Sequence, residues 1–315
     1  MTGASRGGGN DAREPHKNFL NFVALALWLF GIHLNIYICL ICLVYLPNRW
    51  AITVLALWLS QILLPLFAET PFTDCVARFI AKYAPAYFPT ETHCEDVNAL
   101  DPNRPYMEPH SVLPISIVVT TKHYGFLPLK KMKALATTAI FWTPVLRHVW
   151  SWLGLVPATK ETFRQWLKEG YSCVVVPGGV QECLSLRYGH ETIYLKRRHG
   201  FIRLAIEAGA PLVPCFCFGQ SEIYHFWIPS GKWFTKFSRA IGFTPLLFWG
   251  MYGSPLPFPK RMYFVVGKPI EVQKNPNPSI EEVTEIQTKF IAAMEELFEK
   301  HKAVAGYKDA TLTVL

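Results

Sequence analysis

The chain of 315 residues is long enough to bury a full hydrophobic core, as one large domain or two modest ones. Hydrophobic residues make up 51% and charged residues only 17%, and the mean hydropathy is +0.19. This composition is more apolar than that of an average soluble domain and indicates a membrane-associated protein. The net charge of +8 suits an anionic membrane surface or a phosphate-bearing ligand. Nucleic acid is excluded as a partner, because there is no dense Lys/Arg tract, zinc-finger spacing or aromatic RNA-binding signature. The eight cysteines show no secreted disulfide pattern, so a reduced, cytosol-facing protein is predicted.

Two uncharged apolar runs stand near the N-terminus. After residues 1–18, a polar tail that is predicted to be disordered, Phe19 to Leu46 and Trp50 to Phe67 contain no Lys, Arg, Asp or Glu. Because roughly 20 apolar residues suffice to cross a bilayer, residues 19–68 are predicted to form a membrane hairpin. Whether the hairpin is transmembrane or re-entrant stays open, because polar residues such as His33 and Asn35 are costly at mid-bilayer.

Residues 69–315 are predicted to form a cytosol-facing domain of short elements separated by Pro and Gly. Helices are predicted over Pro71 to Tyr83, Val112 to Thr121, Ala134 to Phe141, Phe163 to Lys168 and Gly200 to Glu207, with a last helix beginning at a Ser279–Glu282 capping box. Strands are predicted over Cys173 to Val176, Leu212 to Phe218 and Met262 to Val266. This succession predicts an α/β fold, a mixed sheet with flanking helices, whose ligand site lies at loops that follow strands.

Three polar motifs stand out in this domain. They are Glu108-Pro109-His110-Ser111, the turn Pro177-Gly178-Gly179 closed by Glu182, and the basic residues Lys196, Arg197, Arg198 and Arg203. Each motif also has an ordinary structural interpretation. A lone His is often only a hydrogen-bonded residue, a Pro-Gly-Gly turn often serves only the fold, and a basic cluster is often a solvated helix start beside an anionic membrane.

Taken together, the motifs resemble the type-2 diacylglycerol acyltransferase family. The resemblance rests on Glu-Pro-His-Ser at 108–111 followed by Val-Leu-Pro, on Pro-Gly-Gly-Val-Gln-Glu at 177–182, and on Arg198-x-Gly200-Phe201-x-Arg203 leading to Leu212-Val213-Pro214 and Phe218-Gly219-Gln220. The Glu-Pro-His-Ser form is similar to plant and algal members, where animal members carry His-Pro-His-Gly. The resemblance implies a glycerolipid acyltransferase-like fold and an endoplasmic-reticulum membrane enzyme, with lipid droplets as a further location, that joins acyl-CoA to diacylglycerol and makes triacylglycerol.

Acyl transfer from a thioester to a hydroxyl needs a positioned base, and His110 is the candidate, because the pKa of His suits that task. The broader glycerolipid acyltransferases carry an Asp five positions after the His, where this chain has Ile115. The carboxylate that orients His110 is therefore assigned to Glu182 by motif, with Glu108 as the alternative.

The remaining motif residues are predicted to bind substrate. Pro109 and Ser111 flank His110, and Gly178 and Gly179 would let backbone N–H groups approach a thioester oxygen or a phosphate. The basic residues Lys196, Arg197, Arg198 and Arg203 suit the phosphates of CoA. With no P-loop and no metal-ligand set in the sequence, no metal and no cofactor is expected beyond acyl-CoA as a co-substrate.

One departure from the family pattern concerns the segment before His110. Only Met107 separates Tyr106 from Glu108, and Pro105 and Pro109 flank the segment, so a central strand is not expected there and His110 is expected to be displaced. That expectation keeps a non-catalytic, lipid-binding membrane protein as an alternative. Monoacylglycerol or a long-chain alcohol stays an alternative acceptor, and the sequence leaves a homo-oligomer open. Ala240 to Phe258 is interpreted as an interfacial or lipid-pocket segment, or as plain core.

Overall fold

The computed structural model describes residues 19–66, 70–109 and 115–315. In these ranges the α-helices α1 to α11 are Phe19–Leu25, Gly31–Val44, Arg49–Ser60, Pro71–Tyr83, Ile115–Thr120, Leu146–Trp152, Lys160–Lys168, Gly179–Leu184, Gly200–Ala208, Lys232–Ile241 and Ile280–His301. The strands β1 to β11 are Thr90–Cys94, Met107–Pro109, Met132–Ala136, Leu155–Pro157, Ser172–Val175, Glu191–Ile193, Cys215–Phe218, His225–Trp227, Leu247–Trp249, Met262–Val266 and Leu312–Val314.

A parallel sheet in the order β2-β5-β3-β4 forms one half of the centre. It meets the mixed sheet β1-β10-β7 through Met107, whose N–H donates to the Pro211 carbonyl over 2.9 Å and which bridges Leu212. Because parallel strands point the same way, β2, β5, β3 and β4 end at one edge of the sheet, which we call the carboxyl edge.

Helices cover both faces of this centre. Neighbouring residues of a strand point to opposite faces, and accordingly Val174 of β5 belongs to one hydrophobic core while Cys173 and Val175 belong to the other. The first core lies between the sheets and α1, α4, α5 and α6, and the second lies between the sheets and α7, α9 and α11. Burial of each Val, Leu or Phe side chain contributes roughly 1.5–3 kcal/mol. The predicted mixed α/β architecture is confirmed.

Several predicted elements are confirmed for identifiable local reasons. The helix predicted from Gly200 ends at Gly209, which takes the left-handed φ of 69° that ends α9. The Ser279 hydroxyl accepts the Glu282 N–H over 3.1 Å and so caps α11. The helices predicted from Pro71 and Phe163 are α4 and α7, and the strands predicted from Cys173, Leu212 and Met262 are β5, β7 and β10. The helix predicted over Val112 to Thr121 is present as Ile115–Thr120, and its first residues lie outside the described ranges.

The helix predicted over Ala134 to Phe141 is wrong. Met132–Ala136 is strand β3, paired with β5 on one side and β4 on the other, and a 3-10 turn follows at Thr138–Trp142. The residues Met, Lys, Ala and Leu are good helix formers, but pairing on both sides inside the sheet outweighs a preference of a few tenths of a kcal/mol per residue.

The expectation that no strand forms before His110 is also wrong. Met107–Pro109 is β2, and its residues pair with Cys173, Val174 and Val175 of β5. Pro109 lacks an N–H, but the hydrogen bonds to the 211–213 segment are made at Met107, two residues earlier, so the proline removes none of them.

The N-terminal helices pack onto the first core. Trp28 is fully buried and stacks on Trp150 with ring centroids 4.7 Å apart, and Trp150 Nε1 donates to the Trp28 carbonyl over 3.2 Å. None of the described helices is by itself long and apolar enough to cross a bilayer. One pair of helical segments, Phe19–Leu29 with Gly31–Val44, is together long and apolar enough, but the two segments are bent by 63° relative to each other. The predicted tail over residues 1–18 lies outside the described ranges.

Candidate active site

The predicted catalytic motif enters the carboxyl edge of the sheet. Pro109, the last residue of β2, lies opposite Val175, the last residue of β5. His110 and Ser111 lie outside the described residues, as does the side chain of Pro109. The backbone of Glu108 and Pro109 therefore runs beside the strand that delivers the Pro177-Gly178-Gly179 turn, so the two motifs converge.

The two glycines of this turn have different surroundings. A Cβ on Gly178 would lie 2.7 Å from Cδ of Glu182, because the Glu182 side chain folds back across it. Gly179 has a φ of +52°, and a Cβ there would meet no atom within 4 Å. Gly178 is thus closed by Glu182, while Gly179 leaves an open surface that a ligand can approach closely.

Glu182 and Arg198 hold the turn in place. Glu182 is buried, and its Oε2 accepts the backbone N–H of Tyr194 over 3.1 Å. Arg198 Nη2 donates to the Gly178 carbonyl over 2.7 Å, and its guanidinium lies 5.2 Å from the centre of the Tyr194 ring. A hydrogen bond from a charged donor contributes about 1.5–3 kcal/mol, so the bond from Arg198 to the Gly178 carbonyl stabilises the shape of the turn.

The four basic residues predicted to bind phosphate are in different environments. Arg203 donates to the Pro278 carbonyl over 3.2 Å, and Arg198 is held against the turn. Lys196 and Arg197 are exposed, just after the β6 strand. The phosphate-binding role of all four stays a prediction, and Lys196 and Arg197 are the two whose charges face solvent.

Glu108 lies in the core as a carboxyl group without a hydrogen-bond partner among the described residues. It is fully buried, and neither oxygen has a partner. Burial raises the pKa of Glu108 to about 8. The group is therefore mostly protonated at neutral pH, and it is a neutral acid rather than an anion.

An open cavity of about 470 Å³ lies at the other end of α8 from the turn, and its volume is within the usual range of small-molecule sites. Its walls come from the end of α8, from β8 and from the start of α10, namely Leu184, Leu186, Phe226, Trp227, Ile228, Pro229, Ser230, Gly231 and Thr235. We call it the α8–α10 groove. At a rise of about 1.5 Å per residue, Leu184 is only about 8 Å along α8 from Gly179.

Sequence reasoning missed two polar contacts made by residues of β6 and α8. Ser221 Oγ donates to Glu191 Oε1 over 2.7 Å, and burial raises the pKa of Glu191 to about 7. Arg239 Nη2 of α10 donates to Gln181 Oε1 of α8 over 2.7 Å. The only available signal was the Phe218-Gly219-Gln220 motif, which immediately precedes Ser221. Among residues 19–66, 70–109 and 115–315, no cluster of three His, Cys, Asp or Glu residues could hold a metal ion.

The fold is that of an α/β protein in which the Pro-Gly-Gly turn lies at the carboxyl edge of a parallel sheet. The family described as diacylglycerol acyltransferase matches residues 42–315. The chain belongs to the diacylglycerol acyltransferase family, as its motifs predict.

Relatives within the family differ in the acceptor that their names give. Diacylglycerol O-acyltransferase 2-like protein 6 of Mus musculus is 33% identical and aligns over 71% of this chain and 74% of its own length. The 2-acylglycerol O-acyltransferase 3 of Homo sapiens is 30% identical over 67% and 69%, and acyl-CoA wax alcohol acyltransferase 2 of Mus musculus is 30% identical over 96% and 98%. A solved 1-acyl-sn-glycerophosphate acyltransferase from Thermotoga maritima has a TM-score of 0.44 and 14% identity, covering 86% of this chain and 97% of that one. The chain is an acyltransferase, and its family implies acyl-CoA and an acceptor lipid as substrates.

Proposed function

We propose that the protein transfers the acyl group of acyl-CoA to the free hydroxyl of diacylglycerol and forms triacylglycerol. The single observation that supports this proposal is the pairing of Pro109 with Val175, which puts the residue before His110 beside the strand that leads into the Pro-Gly-Gly turn. The proposed location is the endoplasmic-reticulum membrane, extending to lipid droplets, with α2 and α3 in the bilayer and the site facing the cytosol.

His110 is proposed as the general base. It takes the proton of the acceptor hydroxyl as the oxygen attacks the thioester carbonyl, and it returns that proton to the CoA sulfur when the tetrahedral intermediate collapses. The backbone N–H of Gly179 is proposed to stabilise the negative oxygen of that intermediate, since the open side of this glycine admits close approach. Glu182 and Arg198 act on the reaction by holding this turn.

The two substrates are proposed to approach from different sides. Lys196 and Arg197, which are exposed, would bind the phosphates of CoA. The hydrocarbon of the acceptor would lie in the α8–α10 groove, whose walls include Leu, Ile, Pro, Phe and Trp side chains beside Ser230 and Thr235.

The decisive experiment is turnover by purified protein reconstituted in lipid vesicles with labelled acyl-CoA and a panel of acceptors. We expect triacylglycerol from diacylglycerol, and a loss of about 10²–10⁴-fold in kcat for His110→Ala. The panel includes monoacylglycerol and a long-chain alcohol, because relatives of similar identity are named for those acceptors.

Each other result identifies the part of the proposal that fails. A faster reaction with monoacylglycerol or an alcohol would replace the acceptor but keep the chemistry. Full activity of His110→Ala would refute the assigned base. Lipid binding without turnover of any acceptor would support a non-catalytic protein.

A further inference from the structure

The outward face of the β8–β9 ribbon carries large apolar side chains beside a single polar residue, His225. Phe226 lies opposite Phe248, and both pack against the first core. Because strand residues alternate, their neighbours Trp227 and Leu247 point away from the core, and they are 55% and 57% exposed. An antiparallel ribbon with one face in water normally carries polar residues on that face. The apolar side chains on this face therefore indicate a contact with something less polar than water.

Helix α10 carries an apolar stripe of the same kind. Phe234 and Ser238 are buried, whereas Trp233, Phe237 and Ile241, spaced four residues apart, are all exposed. Trp233 is 75% exposed, and its ring stacks on that of Phe237 with centroids 5.5 Å apart. We call the outward residues of these three elements the aromatic face, and its members are Trp227, Trp233, Phe237, Ile241, Leu247 and Trp249.

The chain segment that carries the aromatic face has charges of one sign. Residues 226–253 contain no Asp or Glu, and their charges are Lys232, Lys236 and Arg239. These three are exposed and lie on α10 beside the apolar stripe. A helix with an aromatic stripe beside a basic stripe has the composition of one that lies in the interface of an anionic membrane.

The β8–β9 ribbon contacts the apolar helix α2 through its inner side. Phe248 contacts His33 of α2 with ring centroids 4.4 Å apart. Thr137, which follows β3 at the carboxyl edge, donates from Oγ1 to the Gly242 carbonyl at the end of α10 over 2.7 Å. The elements that carry the aromatic face are therefore joined to α2 on one side and to the carboxyl edge of the sheet on the other.

We propose that the aromatic face lies at the boundary between headgroups and acyl chains of an anionic bilayer, as a membrane contact in addition to α2 and α3. Trp233, Phe237 and Ile241 enter the apolar side of that boundary, and Lys232 and Lys236 bind anionic headgroups. The α8–α10 groove shares Trp227 with this face, so the groove opens towards the lipid. The inference rests on the proposed function only in one respect, namely that the acceptor hydrocarbon occupies the groove.

The test uses the full chain in phosphatidylcholine vesicles with and without phosphatidylserine, and no acyl-CoA. A photo-reactive p-benzoylphenylalanine replaces Phe237 in one protein, Ile241 in a second, and Ile280 in a control. Ile280 is suitable as the control because it is 72% exposed and lies at the start of α11, a helix that packs on the second core. We expect lipid adducts from positions 237 and 241, more with phosphatidylserine, and none from position 280. Lipid adducts from all three positions, adducts to protein alone, or none at 237 and 241 would overturn the proposal.

Charge reversal tests the basic stripe separately. Each Lys near an anionic surface contributes about 1 kcal/mol, so Lys232→Glu with Lys236→Glu should lower the adduct yield at position 237 by at least about tenfold in phosphatidylserine vesicles. The yield in neutral vesicles should stay the same, and equal loss in both would refute the electrostatic contact. Because adducts form without acyl-CoA, a protein that turns over no substrate can still support this inference, and an active protein without adducts refutes it alone.

Discussion

Glu108 brings an ionisable group into the core beside the proposed base. In the unfolded chain the carboxyl titrates near 4.5, whereas burial raises the folded pKa to about 8. Between these values the folded protein keeps a proton that the unfolded chain has released, so raising the pH opposes folding. The stability that comes from neutral Glu108 is full below about pH 4.5 and is lost progressively as the pH rises towards 8.

The first prediction follows from that sign. Glu108→Gln keeps the shape of the side chain but cannot ionise. As the pH rises, the free energy of unfolding of this variant should therefore increase relative to that of the wild type. The relative gain between about pH 5 and pH 8 should be on the order of 3 kcal/mol, because one unit of pKa corresponds to about 1.4 kcal/mol. Chemical unfolding in detergent at several pH values measures it. Glu295→Gln, on the exposed side of α11, should show no such trend, and parallel curves for Glu108→Gln and wild type would contradict a neutral Glu108.

At the same scale, the residue types of the site were readable from the sequence, but their partners were not. The spacing of the Pro-Gly-Gly turn and Glu182 was visible, whereas the N–H of Tyr194 that Glu182 accepts was not, because it depends on how β6 returns to α8. Arg198 was assigned to a phosphate by its charge. The structure adds a contact with the Gly178 carbonyl that no spacing rule could reveal.

At the scale of elements, the turn between β5 and α8 depends on the two sides of its glycines. Gly178→Ala places a methyl group against the Glu182 side chain, so we expect a loss of about 1–3 kcal/mol in stability and a marked loss of kcat. Gly200→Ala is the matched control, because a Cβ there meets no atom within 4 Å at an ordinary φ. Thermal unfolding and vesicle turnover measure both variants. Normal turnover by Gly178→Ala would show that the turn is structural only.

The α8–α10 groove gives a second prediction for elements. Thr235→Trp fills part of the groove, so we expect about a tenfold lower kcat/KM for a long-chain acceptor and a smaller loss for a short-chain one. Thr284→Trp serves as the control, since Thr284 on α11 is exposed and makes the same hydroxyl-to-carbonyl bond one turn back along its helix. Equal losses for both acceptors would place the acceptor hydrocarbon elsewhere.

The errors in predicting elements have one physical origin. Met132–Ala136 has helix-forming residues but lies between two strands, and Met107–Pro109 has unfavourable prolines but pairs with β5 and with Leu212. Both segments take their structure from partners far along the chain. Gly209 and Ser279, in contrast, act on their own helix ends, and the elements that they bound were predicted correctly.

At the scale of the whole molecule, the stack of Trp28 on Trp150 is one of the contacts that join the N-terminal helices to the domain. Trp150→Ala removes the stack on Trp28 and leaves a cavity in the first core, so we expect a loss of about 3–5 kcal/mol in stability. Trp142→Ala should change stability by no more than about 0.5 kcal/mol, because Trp142 is 70% exposed. Thermal unfolding in detergent compares the two. A small effect of Trp150→Ala would mean that α1 and the domain are held together by other contacts.

The pairing of β2 also sets an order of events during synthesis. Its partners are Cys173 to Val175 on one side and Leu212 on the other, so the strand cannot be completed until the ribosome has released more than half of the chain. The apolar helices α2 and α3 are made long before that point. We therefore expect the newborn chain to contact a lipid surface first and to acquire its carboxyl-edge site there, so that an active enzyme does not exist in solution before it reaches the membrane.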